Sequence, residues 1–176
     1  VLEAASVVIP SWNGAEILRP TLAALASLEE IEYEVLIVDH GRINSDTERL
    51  LADFANNRFR YLGLDQQLGY AGAVNYGVER AKNRLVAVLC NDVIVEKRWL
   101  FELVQKFLER EKIGLAPVVS SLVERPGFRE PLRQRLNIWG RIVFTGEKAE
   151  FYQPLFPDGS AFLFDRNRFG QPFDAD

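Results

Sequence analysis

Short β-branched runs that stop abruptly at polar residues recur along the first two-thirds of the chain, each followed by a stretch of helical periodicity. Ser6–Pro10 predicts a first strand and breaks off at the turn Ser11-Trp-Asn-Gly14. A helix is expected from about Ala15 to Leu28, with Ile17, Leu18, Leu22, Leu25 and Leu28 on one face and Pro20 near its first turn. Glu34–Asp39 predicts a second strand, and Ser45-Asp-Thr-Glu48 has the form of a capping box that opens a second helix. Phe59–Leu64 and Leu85–Leu89 predict two more strands, separated by a helix from Gly69 to about Lys82. Trp99, Leu100, Leu103, Val104, Phe107 and Leu108 then mark one face of an amphipathic helix over Trp99–Arg110.

Repeated strand–helix units of this length imply a mostly parallel α/β sheet flanked by helices and joined by right-handed crossovers. A fifth strand is expected at Gly114–Val119, after which the rhythm breaks. Residues 125–141 hold five arginines against one acid, Glu130. A hairpin-like stretch is expected around Thr145-Gly-Glu-Lys148, and a last apolar strand at Ser160–Phe164. The expected organisation is a single domain over residues 1–176, with a ligand-binding part at 1–119 and a smaller, truncated part at 120–176.

Composition narrows the function classes. A net charge of −4 gives no electrostatic case for nucleic acid as a partner. One cysteine cannot form an internal disulfide, and one histidine excludes a His-rich metal centre. A reducing, cytoplasmic compartment is the simplest expectation. No apolar run reaches the ~20 residues of a membrane-spanning helix. The absence of methionine leads to the expectation that the chain is processed, trimmed or incomplete.

The candidate chemistry lies at the strand ends, since open α/β sheets bind ligands at their carboxyl edge. Three apolar strands would bring Asn13, Asp39 and Asp92 to that edge. The turn before the first helix can offer main-chain amides to an anionic ligand and the face of Trp12 to a base, or it is simply a capped helix start with a core Trp. Asp39 can accept from a base or ribose, or satisfy the amides of the loop after it. Gly69-Tyr-Ala-Gly72-Ala-Val-Asn75-Tyr-Gly77 crowds three glycines into a helix start, which suits either a ligand close to the backbone or tight helix–sheet packing. Asn91-Asp92 follows the fourth strand, and a carboxylate there suits a hard divalent cation bridging phosphates, or caps a loop. Cys90 reads as a small buried residue.

In this order and spacing, Val8-Ile-Pro-Ser-Trp-Asn13, Val38-Asp-His-Gly41, Gly69 to Gly77, Leu89-Cys-Asn-Asp92 and Trp99-Leu100 resemble the motifs of the inverting family 2 glycosyltransferases of the GT-A fold. Gly159-Ser-Ala-Phe-Leu-Phe-Asp-Arg166 and Phe173-Asp174 resemble that family's acceptor-side strand and F-D-E element. The resemblance implies transfer of a sugar from a nucleotide-sugar donor to a saccharide or lipid-linked acceptor hydroxyl. Pro10, Ser11, Asn13 and Asn91 would line the nucleotide-sugar pocket, Asp39 would hold the base or ribose, and Gly69, Gly72 and Asn75 would pass close to the nucleotide. Asp92 would hold Mg²⁺ or Mn²⁺. Cys90 stands where the first acid of D-x-D, or its Asn, is usual, and the loop from His40 to Asp46 is longer than the family pattern. Ala175 replaces the Glu of F-D-E, and the family's base belongs to an acidic pair beyond Asp176. A degenerate domain that binds nucleotide without transfer, or a sugar-phosphate nucleotidyltransferase, remain the alternatives. The Arg-rich stretch suits a donor diphosphate, a lipid phosphate or peripheral contact with the inner face of a membrane, against a plain solvated segment.

Overall fold

The structure, a computed structural model, describes residues 2–12, 14–40, 46–54, 57–112, 118–120, 133–136, 142–145 and 161–173. The elements are β1 (Ala5–Ser11), α1 (Ala15–Ala26), β2 (Tyr33–His40), α2 (Asp46–Ala52), β3 (Phe59–Leu64), α3 (Gly69–Arg80), β4 (Leu85–Leu89), α4 (Trp99–Lys112), β5 (Val118–Ser120), β6 (Arg133–Leu136), β7 (Ile142–Thr145), β8 (Ala161–Asp165) and α5 (Arg166–Phe169).

Six strands form one sheet in the order β3-β2-β1-β4-β8-β5, and β6 and β7 form a separate antiparallel pair. β1 pairs in parallel with both β2 and β4, and β2 with β3. β8 enters antiparallel between β4 and β5. The inner strands read as unbroken apolar runs because both of their faces are covered. Ala5, Val7 and Ile9 of β1 face the core under α1, α2 and α4. Val8 faces the opposite core, with Val38, Val88 and the α3 residues Ala73, Val74 and Val78.

Several expectations are corrected in detail. Ile17 is exposed, because the buried stripe of α1 runs through Leu18, Thr21, Leu22 and Leu25. Pro20 lies in the helix interior rather than the first turn, on the exposed side with Glu16, whose carbonyl loses its helical donor. The fifth strand is described at Val118–Ser120. A described hairpin pair, β6 and β7, ends at Thr145, with Arg133 opposite Thr145 and Leu136 opposite Ile142, and residues 146–148 of the expected hairpin-like stretch lie outside the described residues. Ser45, the first residue of the capping-box pattern, lies outside the described residues.

The amino-terminal edge of the sheet is held by ionic contacts. Glu34, almost fully buried, accepts from Ser6 Oγ at 2.8 Å, the Lys82 amide at 2.6 Å and Arg60 at 3.0 Å. Burial pushes its carboxyl up, but the Lys82, Ser6 and Arg60 donors together outweigh burial and hold it below the usual range. Arg84 donates to Glu3, Glu111 and Asp165 at once, which raises its already high pKa. Arg166 donates to the carbonyls of Val78 and Ala81 and so closes the carboxyl end of α3. With this edge fixed, the opposite edge carries the polar strand ends.

Candidate functional site

The order 3-2-1-4 places a reversal of chain direction across the sheet between β1 and β4: the chain moves outward from β1 to β2 and β3, then returns through α3 to β4. The crevice at such a switch point is where open α/β sheets bind ligands. Pairing of β1 with β4 ends at Val8 and Val88, whereas pairing with β2 continues to Ser11 opposite Asp39. Pro10 and Ser11 therefore form one lip of the crevice, and the turn Cys90–Asp92 forms the other.

A Cβ on Gly14 would stand 2.9 Å from Asn91 Nδ2 and 3.7 Å from Ser11 Oγ, so the bare backbone at Gly14 leaves room for the Asn91 side chain beside the start of α1. Thr21 Oγ1 donates to the Asn91 carbonyl at 2.9 Å, anchoring the second lip to α1. Asn13 lies outside the described residues.

Asp39 is buried at the end of β2, and Tyr61 Oη donates to its Oδ2 at 3.4 Å. Beside it, Ser11 Oγ and His40 Nδ1 are buried polar atoms with no hydrogen-bond partner among the described residues. Burial lowers the pKa of His40, and the neighbouring Asp39 charge only partly offsets that. Burial therefore favours the neutral imidazole.

The glycines of α3 serve different ends. Gly69 opens the helix at φ +67, a left-handed conformation that disfavours a side chain. A Cβ on Gly77 would overlap Val8 Cγ1 and stand 2.9 Å from Val38 Cγ2, so Gly77 lets α3 lie directly on β1 and β2. A Cβ on Gly72 would stand 3.0 Å from Leu68 Cβ. Asn75 is nearly fully buried, and its side chain bonds the Phe173 backbone twice: Nδ2 donates to the carbonyl at 2.7 Å and Oδ1 accepts from the amide at 3.2 Å. The Phe173 ring packs edge-on against Tyr70 and Phe162. The Asn75 side chain thus fastens the carboxyl-terminal segment to α3. Asp174, the next residue of that segment, lies outside the described residues.

Asp92 is half-buried in the turn after β4. Among the described residues, no group of three or more His, Cys, Asp or Glu could hold a metal by itself. One carboxylate at the crevice lip nevertheless fits Mg²⁺ or Mn²⁺, hard ions that complete their shells with phosphate oxygens and water. Tyr61, Gly63 and Thr21 are contributors that sequence reasoning missed, and the period-2 spacing of Tyr61 and Gly63 was the one signal for them. Phe173 was singled out as part of the element resembling F-D-E, without its bond to Asn75. No helix among the described residues is long and apolar enough to cross a membrane.

A doubly covered sheet with a polar crevice at its switch point and an antiparallel strand beyond it defines a GT-A type α/β domain. The chain belongs to glycosyl transferase family 2, whose family profile matches residues 6–170. It is 28% identical over 114 residues to a poly-beta-1,6-N-acetyl-D-glucosamine synthase of Staphylococcus epidermidis, covering 64% of this chain and 27% of the synthase. A synthase of the same name from Staphylococcus aureus is 26% identical over 113 residues. The chain thus spans about a quarter of the length of these relatives (27%). Among solved structures it is similar to residues 1–349 of Staphylococcus aureus TarS in complex with UDP-GlcNAc, with a TM-score of 0.62 and 20% identity over 73% of this chain and 37% of that one. It is also similar to the mannosyltransferase PcManGT from Pyrobaculum calidifontis in complex with GDP-Man and Mn²⁺, with a TM-score of 0.68 and 15% identity over the whole of this chain and 49% of that one.

Proposed function

We propose that this chain is the donor-binding domain of an inverting glycosyltransferase that moves a sugar from a nucleoside diphosphate to an acceptor hydroxyl on a saccharide or lipid-linked glycan. The observation that carries this reading is the crevice itself. Ser11, opposite Asp39 in the β1–β2 register, has a buried Oγ, and His40, the next residue of β2, a buried Nδ1, and neither atom has a partner among the described residues. Buried polar groups of this kind are normally satisfied, and a nucleotide supplies the matching donors and acceptors. In this reading residues 1–119 hold the donor and 120–176 begin the acceptor side.

Each residue then has a physical task. Asp39 accepts from a base N–H or a ribose hydroxyl. Ser11, Pro10 and Asn13 shape the nucleotide pocket with Asn91, and Gly69 and Gly72 keep the start of α3 free of side chains near the diphosphate. Asp92 would hold Mg²⁺ or Mn²⁺. When bound, such an ion neutralises charge that develops on the departing nucleoside diphosphate. No residue of this chain is assigned as the base that deprotonates the acceptor.

The test is calorimetric titration of nucleoside diphosphates with and without Mn²⁺, on the wild type and Asp92→Asn. The reading expects Asp92→Asn to weaken only the metal-dependent part of binding, with the melting temperature nearly unchanged. A large loss of stability with intact metal-dependent binding would make Asp92 a structural residue and overturn its assignment.

A further inference from the structure

The residue opposite Asp39 on the neighbouring strand is Gly63. β3 is the edge strand of the sheet, and Tyr61 and Gly63 lie on the same face of it, two residues apart. The Tyr61 ring uses the space that Gly63 leaves open. Its Cε1, Cζ and Oη lie 2.6 to 2.8 Å from where a Cβ on residue 63 would stand. No real side chain tolerates that approach, so any residue but glycine at 63 must push the ring aside. The ring tip so placed donates to Asp39 Oδ2.

We propose that Tyr61 is a positioning residue for the nucleotide site: it fixes the rotation of the Asp39 carboxylate, and Gly63 is glycine in order to admit it. This inference rests on the reading of Asp39 as a nucleotide contact. A carboxylate at the end of a strand can turn about its own bonds, and each orientation aims its acceptor lone pairs differently. A hydroxyl bound to Oδ2 selects one of these orientations before the ligand arrives. The Asp39–Tyr61 distance of 3.4 Å is long for an O–H···O bond. The seat of the ring over Gly63, rather than the strength of the bond, therefore sets where the hydroxyl stands. The ligand group that such an oriented acid selects is a donor, a base N–H or a ribose hydroxyl, and not a phosphate.

The experiment is titration of the wild type with UDP and with GDP in the presence of Mn²⁺, repeated on Tyr61→Phe, Gly63→Ala, Asp39→Asn and the paired variants. Tyr61→Phe keeps the ring and removes only the hydroxyl, and it should weaken the preferred nucleotide about five- to tenfold. Gly63→Ala should weaken it to a similar degree by displacing the ring. The discriminating readout is coupling. Gly63→Ala should cost less than about twofold in the Tyr61→Phe background, and Tyr61→Phe should cost nothing further in the Asp39→Asn background. A structural role for the tyrosine would give independent, additive losses instead. Nucleotide binding that falls in Asp39→Asn but stays within twofold of the wild type in Tyr61→Phe overturns the positioning role and leaves the Asp39 assignment standing. Failure of the wild type to bind either nucleotide, or indifference of binding to Asp39→Asn, overturns the assignment of Asp39 and the inference with it. Urea unfolding of each variant accompanies the titrations. Should Gly63→Ala fail to fold, Tyr61→Phe and its pairing with Asp39→Asn decide the matter.

Discussion

Gly77→Ala separates two physical explanations of the glycine cluster in α3. If Gly77 is glycine so that a ligand can approach the helix, alanine restores helix propensity and raises stability by about 1 kcal/mol. The packing of α3 predicts the opposite sign. The added Cβ would overlap Val8 Cγ1, with Val8 Cγ2 at 3.3 Å and Val38 Cγ2 at 2.9 Å. Val8 and Val38 sit in adjacent buried strands and are stiff at χ1, so rotation only exchanges one methyl for another. The helix must lift from the sheet. Overpacking of this kind costs about 1–3 kcal/mol; an overlap with two stiff side chains belongs in the upper part of that range, about 2–3 kcal/mol, and with the propensity gain of about 1 kcal/mol subtracted the net loss is about 1–2 kcal/mol. Urea unfolding reads it as a midpoint lowered by about 0.5–1 M, and thermal unfolding as a fall of about 3–6 °C. Gly72→Ala is the control. Its Cβ would meet Leu68 at 3.0 Å, a less severe approach to a side chain of the preceding turn, and its stability should stay within about 0.5 kcal/mol of the wild type. A Gly77→Ala protein as stable as the wild type, or more so, would refute the packing argument.

Acid should lower the stability of the protein over two recognisable pH windows. His40 has its pKa depressed by burial, so the unfolded chain protonates first, and stability falls as pH drops below the unfolded value of about 6.5 toward the lower folded value. It is the only histidine, and His40→Asn should flatten that step in urea titrations followed against pH. Glu34 has its carboxyl held low by its donors. Its contribution is complete above the unfolded value of about 4.3 and disappears as pH falls through the folded value. Glu34→Gln should weaken this second loss, which Glu111, held low by Arg84, shares, and cost about 1–3 kcal/mol at pH 7; an unchanged acid limb would deny Glu34 its structural role. Asn75→Ala should cost about 1–3 kcal/mol by leaving the Phe173 amide and carbonyl without their partners. Hydrogen exchange at the Phe173 amide should quicken with it.

Much of the fold was legible because the inner strands are covered on both faces. Phe59–Leu64 and Leu85–Leu89 fall where the apolar runs place them, and β1 and β2 extend by one residue at each end. The buried stripe of α4 follows its periodicity as well. Ile17 misled because it neighbours Leu18 in sequence, yet lies about 100° around the helix from it. That Asp39 and the Asn91-Asp92 turn lie at one edge of the sheet was legible in the strand ends, while Asn13 of the same expectation lies outside the described residues; the crevice between β1 and β4 needed the strand order. Asn75 could not be resolved from spacing, since its partner Phe173 is 98 residues away. The Arg84 cluster joins residues from the first strand's approach, α4 and β8, and each of its charges reads as ordinary surface in sequence.

The central claim is that the strand-end crevice binds a nucleotide through Asp39. Its most direct test is thermal shift of the wild type and Asp39→Ala against UDP, GDP, ADP and CDP, without added metal and with Mn²⁺. The account predicts stabilisation of the wild type by one nucleotide, larger with Mn²⁺, and a weaker response of Asp39→Ala even without metal. A well-folded wild type that responds to no nucleotide under either condition would contradict it.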